Sequence, residues 1–279
     1  MVAGPQGEPG GSARLPDLAE PVTGVKTVEK SLRILELLLA AEQELTIGQI
    51  VDRTGMHRAS VQRALTTLHA LGWVERPAVR PVYRLSLRLY ALAHVFTRNY
   101  DLLARLQPLL VELSVRSRET AHLGILDGWQ VLHLGRQESP QRVGVTSPIG
   151  SRGWAHTSGM GKALLAGRPD AFLHAYIAAT GLPGLTAHSL TTPEAFLAEM
   201  AMVRSQGYSI DDEEDSIGVR CLGAALPVAH GPAVLAVSIT GPSPRFTQQC
   251  AHEFAPALLD LISRVSGPGL IIQEVIARS

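Results

Sequence analysis

Residues 45–85 read LTIGQIVDRTGMHRASVQRALTTLHALGWVERPAVRPVYRL, and the fold of the N-terminal third is decided there. Thr46 with Gln49 three positions on fits a capping box, and Ile47, Ile50 and Val51 form a short apolar stripe. Gly55 suits the tight turn that ends such a helix. In the next segment, Val61, Ala64, Leu65, Leu68 and Leu71 fall on one side at 100° per residue. Ala59, Ser60, Arg63, Thr66 and Thr67 fall on the other side, which is small, polar and basic. Two short helices meeting at a glycine turn predict a helix-turn-helix. The following WVERPAVRPVYRLSL reads as two short strands around a Pro-containing loop, so the pair carries a wing.

Charge supports a phosphate-facing role for this region. The whole chain balances 25 Lys+Arg against 25 Asp+Glu over 279 residues, which gives no global attraction for nucleic acid. Residues 24–86 alone hold nine Lys/Arg against six Asp/Glu. The excess sits where a DNA-binding surface is wanted. In a winged helix the second helix of the pair enters the major groove. The candidate readers are therefore Arg58, Ala59, Ser60, Gln62, Arg63 and Thr67. Arg suits guanine and Gln suits adenine, while Ala59 and Ser60 allow close approach. Arg76, Arg80 and Arg84 lie along the wing, and Arg80 is taken as its phosphate contact. A solvated helix face is the plain alternative.

The first 22 residues, MVAGPQGEPGGSARLPDLAEPV, are rich in Gly and Pro and are expected to form a disordered arm. VKTVEKSLRILELLLAAEQELT predicts a helix with Val28, Leu32, Leu35 and Leu38–Leu39 inward. Ser86 can cap a connector helix carrying Leu89, Leu92, Ala93 and Phe96 on one side. The expected organisation is an arm at 1–22, a winged helix-turn-helix at 23–86, a linker helix at 87–100 and a second domain at 101–279.

The second domain reads as interleaved strands and helices without βαβ regularity. A helix from about Leu102 to Arg118 is followed by a hairpin around Asp127-Gly128 and by a further strand at RVGVTS, 142–147. SRGWAHTSGMGKALLAG passes into a helix near Ser158. TTPEAFLAEMAMVRSQG is a helix capped by Thr191 or Thr192 and ended by Gly207. CLGAALPVA and AVLAVSITG are strands flanking His230-Gly231, and a last helix runs from Arg245 to Ser266. Two cysteines give no disulfide framework, and neither a signal peptide nor a membrane-length apolar stretch stands out. A cytoplasmic protein is expected.

Four stretches then resemble the IclR (isocitrate lyase regulator) family of bacterial transcription factors. They are VEKSLRILELL, ASVQRALTTLHALGWVER, HTSGMGKALLA and the block from Gly207 to Leu226 with Asp211, Glu214 and Cys221-Leu222-Gly223. The resemblance runs from about Val25 to Thr247. It implies an α+β chain: an N-terminal winged helix-turn-helix, a linker helix and a C-terminal GAF-like α/β effector-binding domain. It implies a homodimer or dimer of dimers on double-stranded operator DNA, as repressor or activator, with a small organic or aromatic acid as effector and no cofactor.

Ser158, Gly159, Met160 and Gly161 stand where a helix begins, and its unpaired amides can hold an anion. Two flanking glycines suit close approach by a ligand. Lys162 follows, facing either the ligand or solvent. Where the family often has Pro-Leu-His this chain has Trp154-Ala155-His156, and Trp154 either tunes effector size or covers a core edge. Ser238 and Thr240 share a strand face, which lines the pocket in the family. The acidic run Asp211 to Asp215 reads mostly as a solvated turn, with Asp211 facing the pocket, Glu214 structural and Cys221 a pocket wall. The competing function is a metal- or cysteine-dependent enzyme domain fused to a DNA-binding domain. It lacks ligand pairs at metal spacing and an evident base for a cysteine nucleophile.

Overall fold

A computed structural model describes residues 25–41, 43–99, 102–145, 147–227 and 232–265. The expected arm at 1–22 and His230-Gly231 lie outside the described residues, as does the side chain of Phe96. The chain divides between Asn99 and Tyr100 into two compact units.

The first unit runs α1 (Lys26–Ala40), β1 (Leu45–Thr46), α2 (Ile47–Thr54), α3 (Arg58–Ala70), β2 (Val74–Glu75), β3 (Val82–Leu85) and α4 (Arg88–Asn99). The Thr46 hydroxyl accepts from the Gln49 amide at 3.3 Å, and the Gln49 side chain accepts from the Thr46 amide at 2.8 Å. The capping box therefore sets the start of α2, and Gly55 ends it at φ 66°. β3 pairs antiparallel with β1 and with β2, which builds the wing. Val61, Ala64, Leu65 and Leu68 of α3 are buried against Ile34, Leu37, Leu38 and Ile50, as the helical spacing requires, whereas Leu71, expected on the same side, is the C-cap and is exposed because the helix ends before it.

Helix α1 corrects one expectation. Ile34, Leu37 and Leu38 are buried and Leu35 is half-buried, while Val28, Leu32 and Leu39 are exposed. The sequence ILELLL is apolar around most of the helix, so periodicity alone does not select the side that meets α3. On the connector helix, Leu89 is half-buried while Leu92 and Ala93 are exposed.

The second unit runs α5 (Leu102–Ser117), β4 (Thr120–Asp127), β5 (Gln130–Gln137), β6 (Arg152–Trp154), a 3-10 turn (Ala155–Thr157), α6 (Gly159–Ala166), α7 (Asp170–Thr180), α8 (Pro193–Gln206), β7 (Ser209–Asp212), β8 (Val219–Leu226), β9 (Leu235–Pro242) and α9 (Gln248–Val265). Six antiparallel strands lie in the order β6-β5-β4-β9-β8-β7. The hairpin between β4 and β5 turns at Gly128, φ 61°, as Asp-Gly predicts. Thr192 caps α8 and Gly207 ends it at φ 81°.

The two faces of this sheet differ. Ala121, Leu123, Leu222, Ala224, Val237 and Ile239 face α5 and α9 in one apolar core. On the other face, Val131 and Ala236 pack with α6, α7 and α8. Beyond that second core the same face turns polar, and the candidate site lies there.

Two further expectations are corrected. RVGVTS forms no strand among its described residues. Its polar backbone groups are bound by side chains instead of a ladder. Arg245 donates to the Val143 carbonyl at 2.9 Å, and His122 Nε2 accepts from the Ser147 amide at 3.2 Å. The acidic run is also not a solvated turn. Asp211 and Asp212 are paired in β7, and Asp211 and Glu214 are only 1% and 6% exposed. Helix α7 was not anticipated. Leu173 and Tyr176, spaced three apart, are its buried contribution to the second core.

Candidate functional sites

The candidate nucleic-acid interface is the outer face of α3. Arg58, Ala59, Gln62, Arg63, Thr66 and Thr67 are exposed and Ser60 is half-buried. The Thr66 hydroxyl donates to the Gln62 carbonyl at 2.9 Å and that of Thr67 to the Arg63 carbonyl at 3.1 Å. These bonds satisfy the threonine hydroxyls within the helix itself. Among the described residues, neither Arg58 nor Arg63 has an ion-pair partner. The wing is different. Arg80 pairs with Glu44 at 2.8 Å, Arg84 with Glu44 and Glu75, and Arg76 lies over the Tyr83 ring at 5.8 Å. An exposed pair such as Arg80–Glu44 is worth little and opens readily when a phosphate competes.

Sequence reasoning missed how the reading helix is fastened to the connector. The Ser86 hydroxyl donates to the Gly72 carbonyl, and Arg88 donates to the Leu71 carbonyl while its guanidinium lies 5.0 Å over the Trp73 ring. A cation thus sits at the C-terminal end of α3, where the helix dipole favours it. No periodic pattern announces such a clamp.

The second candidate site is a buried polar row on the sheet of the second unit. The register aligns Asp211 with Cys221, Cys221 with Thr240, and Thr240 with Thr120. One step along, it aligns Ser209 with Gly223, Gly223 with Ser238, and Ser238 with His122. Because side chains alternate along strands, all of these share one face. Asp211, Ser238, Thr240, Thr120 and His122 are each under a tenth exposed. The row is hydrogen-bonded in sequence. His122 Nδ1 lies 3.4 Å from Thr240 Oγ1, which donates to Cys221 Sγ at 3.4 Å, and the thiol bonds the Asp211 carboxylate. Asp211 Oδ1 also accepts from the Glu214 amide at 2.8 Å, which fixes the acidic turn.

Electrostatics define what this row is able to do. Burial pushes Asp211 up to about 6, against the pull of its hydrogen bonds from Cys221 and Glu214. Burial, with Asp211 adjacent, lifts the Cys221 thiol well above its ordinary value. Cys221 is therefore a protonated wall and a poor nucleophile. Burial lowers His122 to about 3, helped by His133 and Arg136, and lowers His133 to about 4. Both imidazoles are neutral in the folded protein. Among the described residues no group of three or more His, Cys, Asp or Glu is placed to hold a metal ion.

Helix α6 abuts this row with its N-terminus. Ser158 caps it, its hydroxyl accepting from the Gly161 amide at 3.0 Å. The glycines have a packing reason that the sequence does not reveal. A Cβ on Gly159 would lie 3.1 Å from Cys221 Cβ, one on Gly161 would lie 2.2 Å from the Ala155 carbonyl oxygen, and one on Gly223 would lie 2.3 Å from the Gly159 backbone. Bare backbone lets the helix end sit directly on β8. Met160 is buried among the second core with its methyl towards Gly124. Trp154, half-buried at the end of β6, meets the buried His156 ring edge-on at 6.1 Å, and His156 is bonded to Tyr176 and the Pro183 carbonyl. That places Trp154 beside the aromatic cluster of the second core.

Lys162 does not reach solvent. It is 1% exposed, and its ammonium donates to Glu199 Oε1 at 2.8 Å, to Glu214 Oε1 at 2.5 Å and to the Ile210 carbonyl. Desolvation opposes its charge, but the two carboxylates outweigh that and hold its pKa above the ordinary value. The same ion pair makes Glu214 a structural member of the acidic run. Lys162 and Glu214 are 52 positions apart, so neither segment alone shows the bond.

A basic, unpaired helix face on a winged helix, joined in one chain to an α/β domain, defines a DNA-binding transcriptional regulator. The chain belongs to the IclR family of bacterial transcriptional regulators. The family's IclR helix-turn-helix domain matches residues 27–78, and the bacterial transcriptional regulator IclR C-terminal domain matches residues 94–267. The chain is 31% identical over 262 residues to the HTH-type transcriptional regulator BhcR of Paracoccus denitrificans, covering 94% of this chain and 92% of that protein. The crystal structure of the Thermotoga maritima IclR superposes with a TM-score of 0.65 at 25% identity, covering 87% of this chain and 99% of that one. An IclR homologue from Microbacterium hydrocarbonoxydans, crystallised with 4-hydroxybenzoate, shares the fold with a TM-score of 0.69 at 21% identity over 85% of this chain and 99% of that one. The relatives are named as regulators, not enzymes. No described helix is long and apolar enough to cross a membrane.

Proposed function

We propose that the chain is a cytoplasmic regulator whose operator affinity is set by a small organic acid. The acid binds over the polar row, in front of the α6 N-terminus. The observation that carries this reading is the row itself: Asp211, Cys221, Ser238, Thr240 and His122 crowd one end of an otherwise apolar sheet face. Buried polar groups are costly unless they bond to something, and several here have hydrogen-bonding capacity left over. The amides of Gly159 and Met160 and the hydroxyls of Ser238 and Thr240 would receive the carboxylate. Aromatic acids, glyoxylate-like acids and sugar acids all suit such a cradle. The 4-hydroxybenzoate held by the Microbacterium hydrocarbonoxydans protein supports an acid.

The domains divide this work. The winged helix at 23–86 reads DNA through Arg58, Ala59, Ser60, Gln62, Arg63 and Thr67, with Arg80 on a phosphate. The linker helix at 87–100 joins it to the effector domain at 101–279. The protein acts as a homodimer or a dimer of dimers, so its operator is palindromic. Ligand shifts DNA affinity only through its differential affinity for two arrangements of the subunits.

Asp211→Asn and Cys221→Ser test the site. Each is expected to weaken the acid's effect on DNA binding at least several-fold while leaving DNA affinity without ligand unchanged in a gel-shift titration. Equal loss of both properties would move the site elsewhere.

A further inference from the structure

His133 stands beside the row, next to His122. The rings of His122 and His133 meet edge-on at 5.3 Å between centroids, on neighbouring strands β4 and β5. His122 is committed on both sides. Its Nε2 accepts from the Ser147 amide, so its proton lies on Nδ1, towards Thr240. His133 differs. Its Nδ1 is buried and has no hydrogen-bond partner among the described residues.

Five cations of the second unit are held by carboxylates. Lys162, the one titratable group of α6, is held by Glu199 and Glu214. Arg245 grips Glu119, Arg220 grips Asp212, Arg136 of β5 pairs with Glu138, and Arg152 with Asp127. From β7 and β8 the row receives Asp211 and Cys221, and β9 contributes only hydroxyls. A carboxylate entering here meets a buried acid and neutral donors first, and any of these paired cations must leave its own carboxylate before it compensates the ligand. A buried charge in that position needs a partner.

We propose that the acidic ligand enters together with one proton, which is taken from solvent by His133 Nδ1 and converts the His122–His133 pair into the ligand's counter-charge. His133 accepts the proton with no bond broken, whereas His122 would first have to release Ser147. The inference rests on the polar row being the acid site, and it adds how that site selects an anion. In the free protein, burial keeps both rings neutral well below pH 6. An anion beside them raises the bound-state value, so protons are taken up on binding across the interval between the two values. Affinity then rises as pH falls, by about tenfold per pH unit where uptake is complete.

The test is calorimetry of glyoxylate, 4-hydroxybenzoate and gluconate from pH 5 to 8, in buffers of different ionisation enthalpy. It is paired with nitrogen NMR of the histidine rings in the wild-type protein. Expected are uptake approaching one proton per acid bound and a His133 ring that changes from neutral to imidazolium when the acid is added. In His133→Gln the uptake is lost and the pH dependence of affinity flattens. Binding without proton uptake would overturn the proposal and leave the acid site standing. Uptake that persists in His133→Gln but vanishes in Asp211→Asn would also overturn it, because the proton would then belong to Asp211. If none of the three acids binds, the acid reading fails, and the proposal fails with it. The NMR signature needs no variant, so a poorly folded His133→Gln leaves the proposal open to refutation.

Discussion

Arg63→Ala is expected to abolish sequence-specific DNA binding while leaving the protein folded. Arg63 lies on the exposed face of α3, one position before the buried Ala64 and Leu65. It has no ion-pair partner among the described residues, so its removal strands no buried charge. An arginine bidentate on guanine contributes roughly 1–3 kcal/mol of discrimination per site. In the proposed dimer the contact is lost at both half-sites, so the loss is on the order of 30- to 20,000-fold in total by the same measure. Binding then falls towards the salt-dependent, sequence-independent level. Footprinting titration and a thermal melt on the same sample check this. Wild-type protection with Arg63→Ala would contradict the assignment. Arg80→Ala, on an exposed residue already shared with Glu44, is expected to do much less.

Lys162→Met carries the largest expected effect on stability. The ammonium is buried, and its loss leaves Glu199 and Glu214 facing each other and the Ile210 carbonyl without compensation. Breaking a buried pair from one side costs roughly 3–5 kcal/mol. For a domain of this size that corresponds to a drop of about 6–20 °C in Tm. The turn that holds Asp211 loses its anchor as well, so the ligand response weakens along with stability. Adding Glu214→Gln to Lys162→Met removes one stranded charge and is expected to recover part of the loss. Glu214 already sits high, about 7, because burial opposes its charge even beside Lys162. A melt in which Lys162→Met equals wild type would show that the ammonium does not hold the turn.

Much of this molecule is legible in its sequence, and the unreadable parts share a cause. The capping box at Thr46, the turn at Gly55, the α3 stripe from Val61 to Leu68 and the Asp127-Gly128 hairpin are local, and each lies where its residues place it. The buried side of α1 was misread because its neighbour, not its own pattern, selects the face. The strand expected at 142–147 failed because side chains 25 and 102 positions away bind its backbone. The same distance effect governs the site. Asp211, Cys221, Ser238 and Thr240 were nameable from a family pattern, whereas His122 and His133 enter only through strand register and a bulge at Leu123/Gly124. The acidic run looked solvated because composition does not show that Lys162 lies beneath it.

An acid bound in the sheet row is expected to change affinity for DNA. The most direct measurement is fluorescence anisotropy of labelled DNA from the protein's own upstream region, titrated with protein in the presence and absence of an acid already shown to bind by calorimetry. The expected shift in the DNA midpoint is about 5- to 150-fold, the usual range of allosteric coupling, with the acid affinity responding reciprocally. A bound acid that leaves the midpoint unmoved would contradict it.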